Sequence, residues 1–165
     1  MDFKRIAKHL LMTRWHVNQV FPRDSLAAIE QAIKASETSH TGEIRFAIEG
    51  ALDIEPLLQG QTARERAIEV FSQQRVWDTE NNNGVLIYLL LADRDVEIVA
   101  DRQVHAKVGS REWESICRAM ETAFRQAEFQ CGVVDGIQAV TRHLAQHFPA
   151  SGANPNELPD KPVLV

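Results

Sequence analysis

The chain's 165 residues suit one domain, and its 44% hydrophobic and 25% charged residues are ordinary for a globular fold. A formal net charge of −5 gives the whole chain no attraction for nucleic acid or an anionic surface, and nothing in the totals marks a basic patch. Cys117 and Cys131 are too few for a disulfide framework and read as reduced, buried thiols in apolar helical surroundings.

The N-terminal stretch "MDFKRIAKHLLMTRWHVNQV" has basic residues but no long apolar run and no cleavage site of a secretory signal. The longest apolar run, Val85 to Ala92, is far short of the ~18 residues needed to cross a bilayer. A cytoplasmic protein without a transmembrane segment is therefore expected. Residues 1–22 are expected to be a partly helical N-terminal segment, 23–149 a single α/β domain and 150–165 a flexible, proline-rich tail. The apolar end of that tail, "PVLV", has the form of a peptide ligand for another domain.

In chain order, "FPRDSLAAIEQAIKASE" predicts a helix capped by Asp24 or Ser25, with Leu26, Ile29 and Ile33 on one face. "TGEIRFAIEG" alternates as a half-buried strand, Ile44, Phe46 and Ile48 facing inward and Glu43, Arg45 and Glu49 outward. After a loop holding Pro56, Thr62 and Glu65 form a capping box that opens a helix through "ARERAIEVFSQQRVW". "GVLIYLLL", apolar on both faces, predicts the central strand. "VEIVAD" predicts an antiparallel return strand after a two-residue turn at Asp93 and Arg94. Ser110 caps a helix carrying Trp113, Ile116, Met120 and Phe124, and a last helix runs from Val133 to about Phe148. The order implies an α/β (α+β-like) fold, a small mixed sheet of three to four strands with helices on both faces.

On that hairpin register Asp101 lies beside Leu86 and Gln103 beside Gly84, at the end of the sheet where the first strand begins. Glu43, Asp78, Glu80, Asn81 to Asn83, Asp101 and Arg102 thus gather at one edge. Carboxylate and amide oxygens are hard ligands suited to Ca²⁺ or Mg²⁺. The alternatives are turn chemistry at Asn-Asn-Asn-Gly, with Gly84 or an asparagine at positive φ, and a solvent face at Asp95, Glu97 and Asp101. "LLLADRDVE" departs from the aspartyl-phosphatase strand motif at Glu97, and "HLAQH", with His143 and His147, lacks the glutamate and third ligand of a zinc site.

The series "GEIRFAIE", "ERAIEVFSQQRVWDTENNNGVLIYLLLADRDVEIVADR", "GSREWESI" and "DGIQAVTRHLAQHFP" resembles the TPM domain, named for thylakoid-lumen, photosystem II-repair and neuromodulator members. The resemblance spans about Asp24 to Pro149 and is nearest to the shorter soluble subgroup. It implies a few-stranded sheet between helices and a divalent-cation site, usually calcium. Some plant members are called acid phosphatases. The family's D-N-G falls on Asn82-Asn83-Gly84, and its G-Y-G on Ala100-Asp101-Arg102.

The first expectation is a non-catalytic module binding Ca²⁺, or Mg²⁺ or Mn²⁺, through Glu43, Asn82, Asn83 and Asp101, with Asp78 and Glu80 as secondary ligands. The second is a metal-assisted phosphatase in which Arg45 or Arg102 contacts the phosphoryl group and a metal-bound water or Asp101 attacks. The third is an interaction module whose partner is an unidentified, membrane-associated protein.

Overall fold

The computed structural model describes residues 2–165. In chain order these form α1 (Phe3–Leu11), α2 (Arg14–Val20), α3 (Arg23–Ser36), β1 (Glu43–Glu49), α4 (Ile54–Leu58), α5 (Ala63–Gln73) and β2 (Gly84–Leu90). There follow β3 (Asp95–Ala100), α6 (Arg102–Val108), α7 (Ser110–Arg125), α8 (Phe129–His147) and β4 (Val163–Leu164). The sheet order is β3-β2-β1-β4, with β1 parallel to β2 and to β4, and β2 antiparallel to β3.

The period-two pattern divides the core between two faces. Ile44, Phe46, Ile48, Val85, Ile87 and Leu89 pack against Ile29 and Ile33 of α3, Met120 and Phe124 of α7, and Val140 and Leu144 of α8. The other face carries Ala47, Leu86, Tyr88 and Leu90 against Leu57 of α4, Ala67 and Val70 of α5, and Leu158 beyond α8. All of β1 is buried, its charged side included. That side is covered rather than wet because α5 and residues 157–165 lie over it. Glu49 accepts from Arg66 Nε at 2.8 Å and from the Tyr88 hydroxyl at 2.7 Å, so a carboxylate shut away from water is fully paired.

The C-terminal segment is not a loose tail in this structure. Val163 and Leu164 add a parallel strand to β1, so "PVLV" pairs within its own sheet. Upstream of it, the Glu43 carboxylate accepts from the backbone N–H of Glu157 (3.3 Å) and of Leu158 (3.2 Å). Arg45 donates to the carbonyls of Pro159 and Lys161. A segment too polar to pack by its own hydrophobicity is held by the strand's charges.

Several boundaries also differ from the sequence reading. The turn after β2 spans Leu91 to Arg94, because Leu91 and Ala92 still donate to Glu49 at the end of β1 and to Gly50 just beyond it. The hairpin therefore shifts by two residues: Val99, not Asp101, lies opposite Leu86. Asp101 caps α6, which removes Gln103 from the sheet. Pro22, rather than Asp24 or Ser25, precedes α3, and Gly109 precedes Ser110 at the start of α7. The last helix begins at Phe129, four residues before Val133, and Cys131 on it is exposed. The Thr62–Glu65 capping box is present in full.

In the Asn-rich turn Asn82 takes the positive φ (48°). Gly84 serves a different need: a Cβ there would stand 2.0 Å from the Val76 carbonyl oxygen. Gly84→Ala is expected to lower the unfolding free energy by about 1–3 kcal/mol, as overpacking does, which urea denaturation will measure. A second expectation concerns Glu43, whose carboxyl is pushed up to about 7, first by burial and further by the charges of Glu157 and Asp160, against the pull of the two amides. Its raised folded value means that stability is full below about 4.5 and is lost as pH rises toward 7. Between pH 5 and pH 8, Glu43→Gln should therefore gain stability relative to wild type. An unchanged difference between the two proteins would show that Glu43 does not titrate in this window.

Candidate functional site

The segments expected at one sheet end do meet there. Glu43 pairs with Gly84, and Asp101 donates its N–H to the Gly84 carbonyl at 2.9 Å. Their side chains do not form one set of ligands. The Val76 carbonyl oxygen sits over Gly84, in the space a Cβ would need. Asn83 is one position along from Gly84 and so belongs to the opposite face; its Nδ2 donates to the Thr41 carbonyl at 2.9 Å. Asp101 accepts from the Arg102 N–H at 2.7 Å as a helix cap, and Arg102 is exposed. Asn82 and Glu80 are exposed, and Asp78 pairs with Arg75 at 2.6 Å. Asn83 Oδ1 and Asp101 Oδ2 are buried acceptors without donors, one just before β2 and the other just after β3.

Glu43 belongs to a different constellation, built from the end of α3 and the C-terminal segment. Burial, the nearby Asp160 carboxylate and the charge of Glu43, against the pull of Lys34, push the Glu37 carboxyl up to about 8. Asp160 also raises Glu43. Glu37, Glu43 and Asp160 thus repel one another in a partly desolvated corner, and Glu37 Oε1 is buried without a partner. The cation on the same strand, Arg45, donates through its terminal nitrogens to Pro159, Lys161 and Gln74, and also feels the charge of Asp160. The sequence reading found Glu43 but not its neighbours, because residues 150–165 looked too polar to fold back.

A second acidic place flanks the edge strand β3. A groove of about 430 Å³ runs between β3 and α7, lined by Asp95, Glu97, Glu114 and Glu121 together with Arg64, Trp113 and Cys117. Burial and the charges of Glu97, Glu121 and Asp93 raise Asp95 to about 6, and Glu97 is raised by burial despite Arg64 at 3.3 Å. Glu121 accepts from the Val96 N–H, and Arg64 donates to the Ile98 carbonyl, so side chains cap the strand's open edge. Burial lifts the Cys117 thiol to about 12, which makes it a poor nucleophile. The signal for this groove was present in the seven-residue spacing of Glu114 and Glu121, which puts both on one helix face beside the alternating acids of β3.

The donor chemistry fits a hard cation in kind, yet no three His, Cys, Asp or Glu side chains among the described residues stand close enough to hold a metal ion. For acid–base or nucleophilic work the pairs are weak. Ser110 Oγ and His105 Nε2 are 3.5 Å apart and exposed, beyond the reach of a nucleophile and its base. Arg45 and Arg102 do not converge into a phosphoryl clamp. No helix among the described residues is long and apolar enough to cross a membrane.

Comparison with known proteins agrees with the architecture. The family model of the TPM domain matches residues 17–143. The NMR structure of the BA42 protein from the psychrophilic bacterium Bizionia argentinensis is 30% identical, with a TM-score of 0.75 over 86% of this chain and 93% of that one. The solution structure of the N-terminal domain of a protein from P. gingivalis shares the fold at 18% identity and a TM-score of 0.63, over 80% of this chain and 83% of that one. No curated protein matches in sequence. With a family match over most of its length and a structural relative of the same fold, the chain belongs to the TPM domain family.

Proposed function

We propose that this TPM domain is a non-catalytic module that binds a divalent cation weakly, calcium before magnesium, at the sheet end closed by the C-terminal segment. Glu37, Glu43 and Asp160 supply the oxygens. The observation that carries this reading is an unsatisfied acidic corner: Glu37 Oε1 is buried without a donor, the C-terminal segment closes over Glu43, and burial with neighbouring carboxylates pushes Glu37 up to about 8 and Glu43 up to about 7. A cation takes the place of protons there and removes the repulsion. Calcium tolerates irregular oxygen sets, whereas magnesium demands a near-ideal octahedron. Because the three side chains must close in before they can share an ion, affinity is low. The cation then acts as a bolt between the domain body and its C-terminal segment.

Two properties should follow. At roughly ten times its dissociation constant, a cation held only by the native state adds about 1.4 kcal/mol, or about 4 °C in Tm for a chain this long. The shift should be clear at pH 8 and fade by pH 5, where protons compete for the same oxygens. Thermal unfolding of chelator-treated protein with added Ca²⁺, Mg²⁺ or Mn²⁺ tests this in wild type and in Glu37→Gln, Asp101→Asn and Glu97→Gln. Loss of the shift in Glu37→Gln alone supports the C-terminal corner. Loss in Asp101→Asn alone returns the site to Asp101 at the start of α6, and loss in Glu97→Gln alone moves it to the β3 groove. No shift with any ion defeats the proposal, and steady hydrolysis of an aryl phosphate defeats its non-catalytic half.

A further inference from the structure

The net charge of −5 hides a strong asymmetry: from Phe3 to Arg23 the chain has five Lys and Arg residues and no carboxylate. In this segment Phe3, Leu10, Leu11 and Trp15 are 75%, 60%, 73% and 62% exposed, among the most exposed large apolar side chains of the described residues.

The helix period explains how they coincide. At 100° per residue, Phe3, Ala7, Leu10 and Leu11 share one side of α1, and Lys4 and Lys8 flank it. Ile6 and His9 lie on the other side, against the domain. That inner side is pinned by polar contacts. Arg5 Nε stands 2.8 Å and His9 Nε2 3.1 Å from Asp93 Oδ2. Arg5 also donates to the Gln61 carbonyl at 2.8 Å, and His9 Nδ1 accepts from the Leu52 N–H at 3.0 Å. The helix is thus locked with its apolar side outward, and Trp15, Arg14 and His16 extend that exposed surface onto α2.

We propose that α1 and α2 form a docking surface for an anionic lipid bilayer, lying in the plane of the headgroups. Charge complementarity selects this occupant. Lysine is depleted from protein–protein interfaces, whereas Phe, Leu and Trp bordered by Lys and Arg suit the boundary between headgroups and acyl chains. Phe3, Leu10 and Leu11 enter the acyl region, Trp15 sits at the headgroup level, and Lys4, Lys8 and Arg14 meet lipid phosphates. The acidic remainder of the domain faces away from the bilayer, which orients the bound protein.

Co-sedimentation of the full chain with phosphatidylcholine vesicles, with and without 30% phosphatidylglycerol, tests the proposal. Binding is expected only to the anionic vesicles, to fall in 0.5 M salt, and to drop at least about tenfold in the Leu10→Glu/Leu11→Glu double variant. The Lys4→Gln/Lys8→Gln variant, which leaves the apolar side intact, should weaken binding as added salt does. Circular dichroism checks that both variants keep their fold. Absence of binding to anionic vesicles, equal binding to neutral ones, or undiminished binding by the folded double variant overturns it. So does a concentration-dependent dimer in wild type that the Leu10→Glu/Leu11→Glu variant abolishes, which would make this side a seam between copies or a protein-binding face.

Discussion

The structure turns on a strand that buries its charged side. Glu43, Arg45 and Glu49 alternate along β1 with the apolar residues of the main core, and all are shut away from water. An unpaired buried charge costs several kcal/mol, so each must find a partner from a distant part of the chain. Glu49 takes Arg66 from α5 and the Tyr88 hydroxyl from β2. Glu43 takes two amides, and Arg45 two carbonyls, from the C-terminal segment. The second layer of the domain is therefore assembled as much by ion and hydrogen-bond matching as by apolar burial. Its apolar cluster is smaller, with Ala47, Ala63 and Ala67 where the first face has Phe, Ile and Leu.

The same requirement makes the corner near Glu43 electrostatically uneasy. The C-terminal segment brings the amides that favour an ionised Glu43, but it also brings Glu157 and Asp160, which oppose one. Arg45 hydrogen-bonds backbone carbonyls rather than Glu43, although it feels the charge of Asp160. The contrast with Glu49 is instructive: there a guanidinium lies directly on the carboxylate, at 2.8 Å. Identical residues on one strand thus stand in different surroundings, one against a guanidinium and a hydroxyl and the other against backbone amides and neighbouring carboxylates.

How much of this could be read from the sequence depends on whether a signal was local. The alternation of "EIRFAIE", the doubly apolar "GVLIYLLL" and the Thr62–Glu65 box specify their elements within a few residues, and these appear as expected. The hairpin turn is longer than its two-residue reading because β2 continues to bond β1 after β3 has peeled away, a tertiary fact invisible in "ADRD". An even shift kept Asp101 on the expected face but moved it past the end of the strand, where it became a cap. The C-terminal segment is not legible in composition, because its attachment to Glu43 and Arg45 lies in main-chain groups. In the N-terminal region, a total charge of −5 averaged away a contiguous basic stretch that only a running count shows.

The attachment of that segment also bears on how the chain folds. Residues bonding Glu43 and Arg45 lie 114 to 116 positions away in sequence. Contacts that distant close the largest loops and weigh against rapid folding. The helices of the first layer can condense around β1 and β2 before this contact forms. Until it does, β1 exposes an unprotected strand edge beside ionised side chains, a template that a neighbouring chain could pair with. In the folded domain the stretch from Glu157 to Leu164 closes that edge, Val163 and Leu164 bonding to it as a parallel strand.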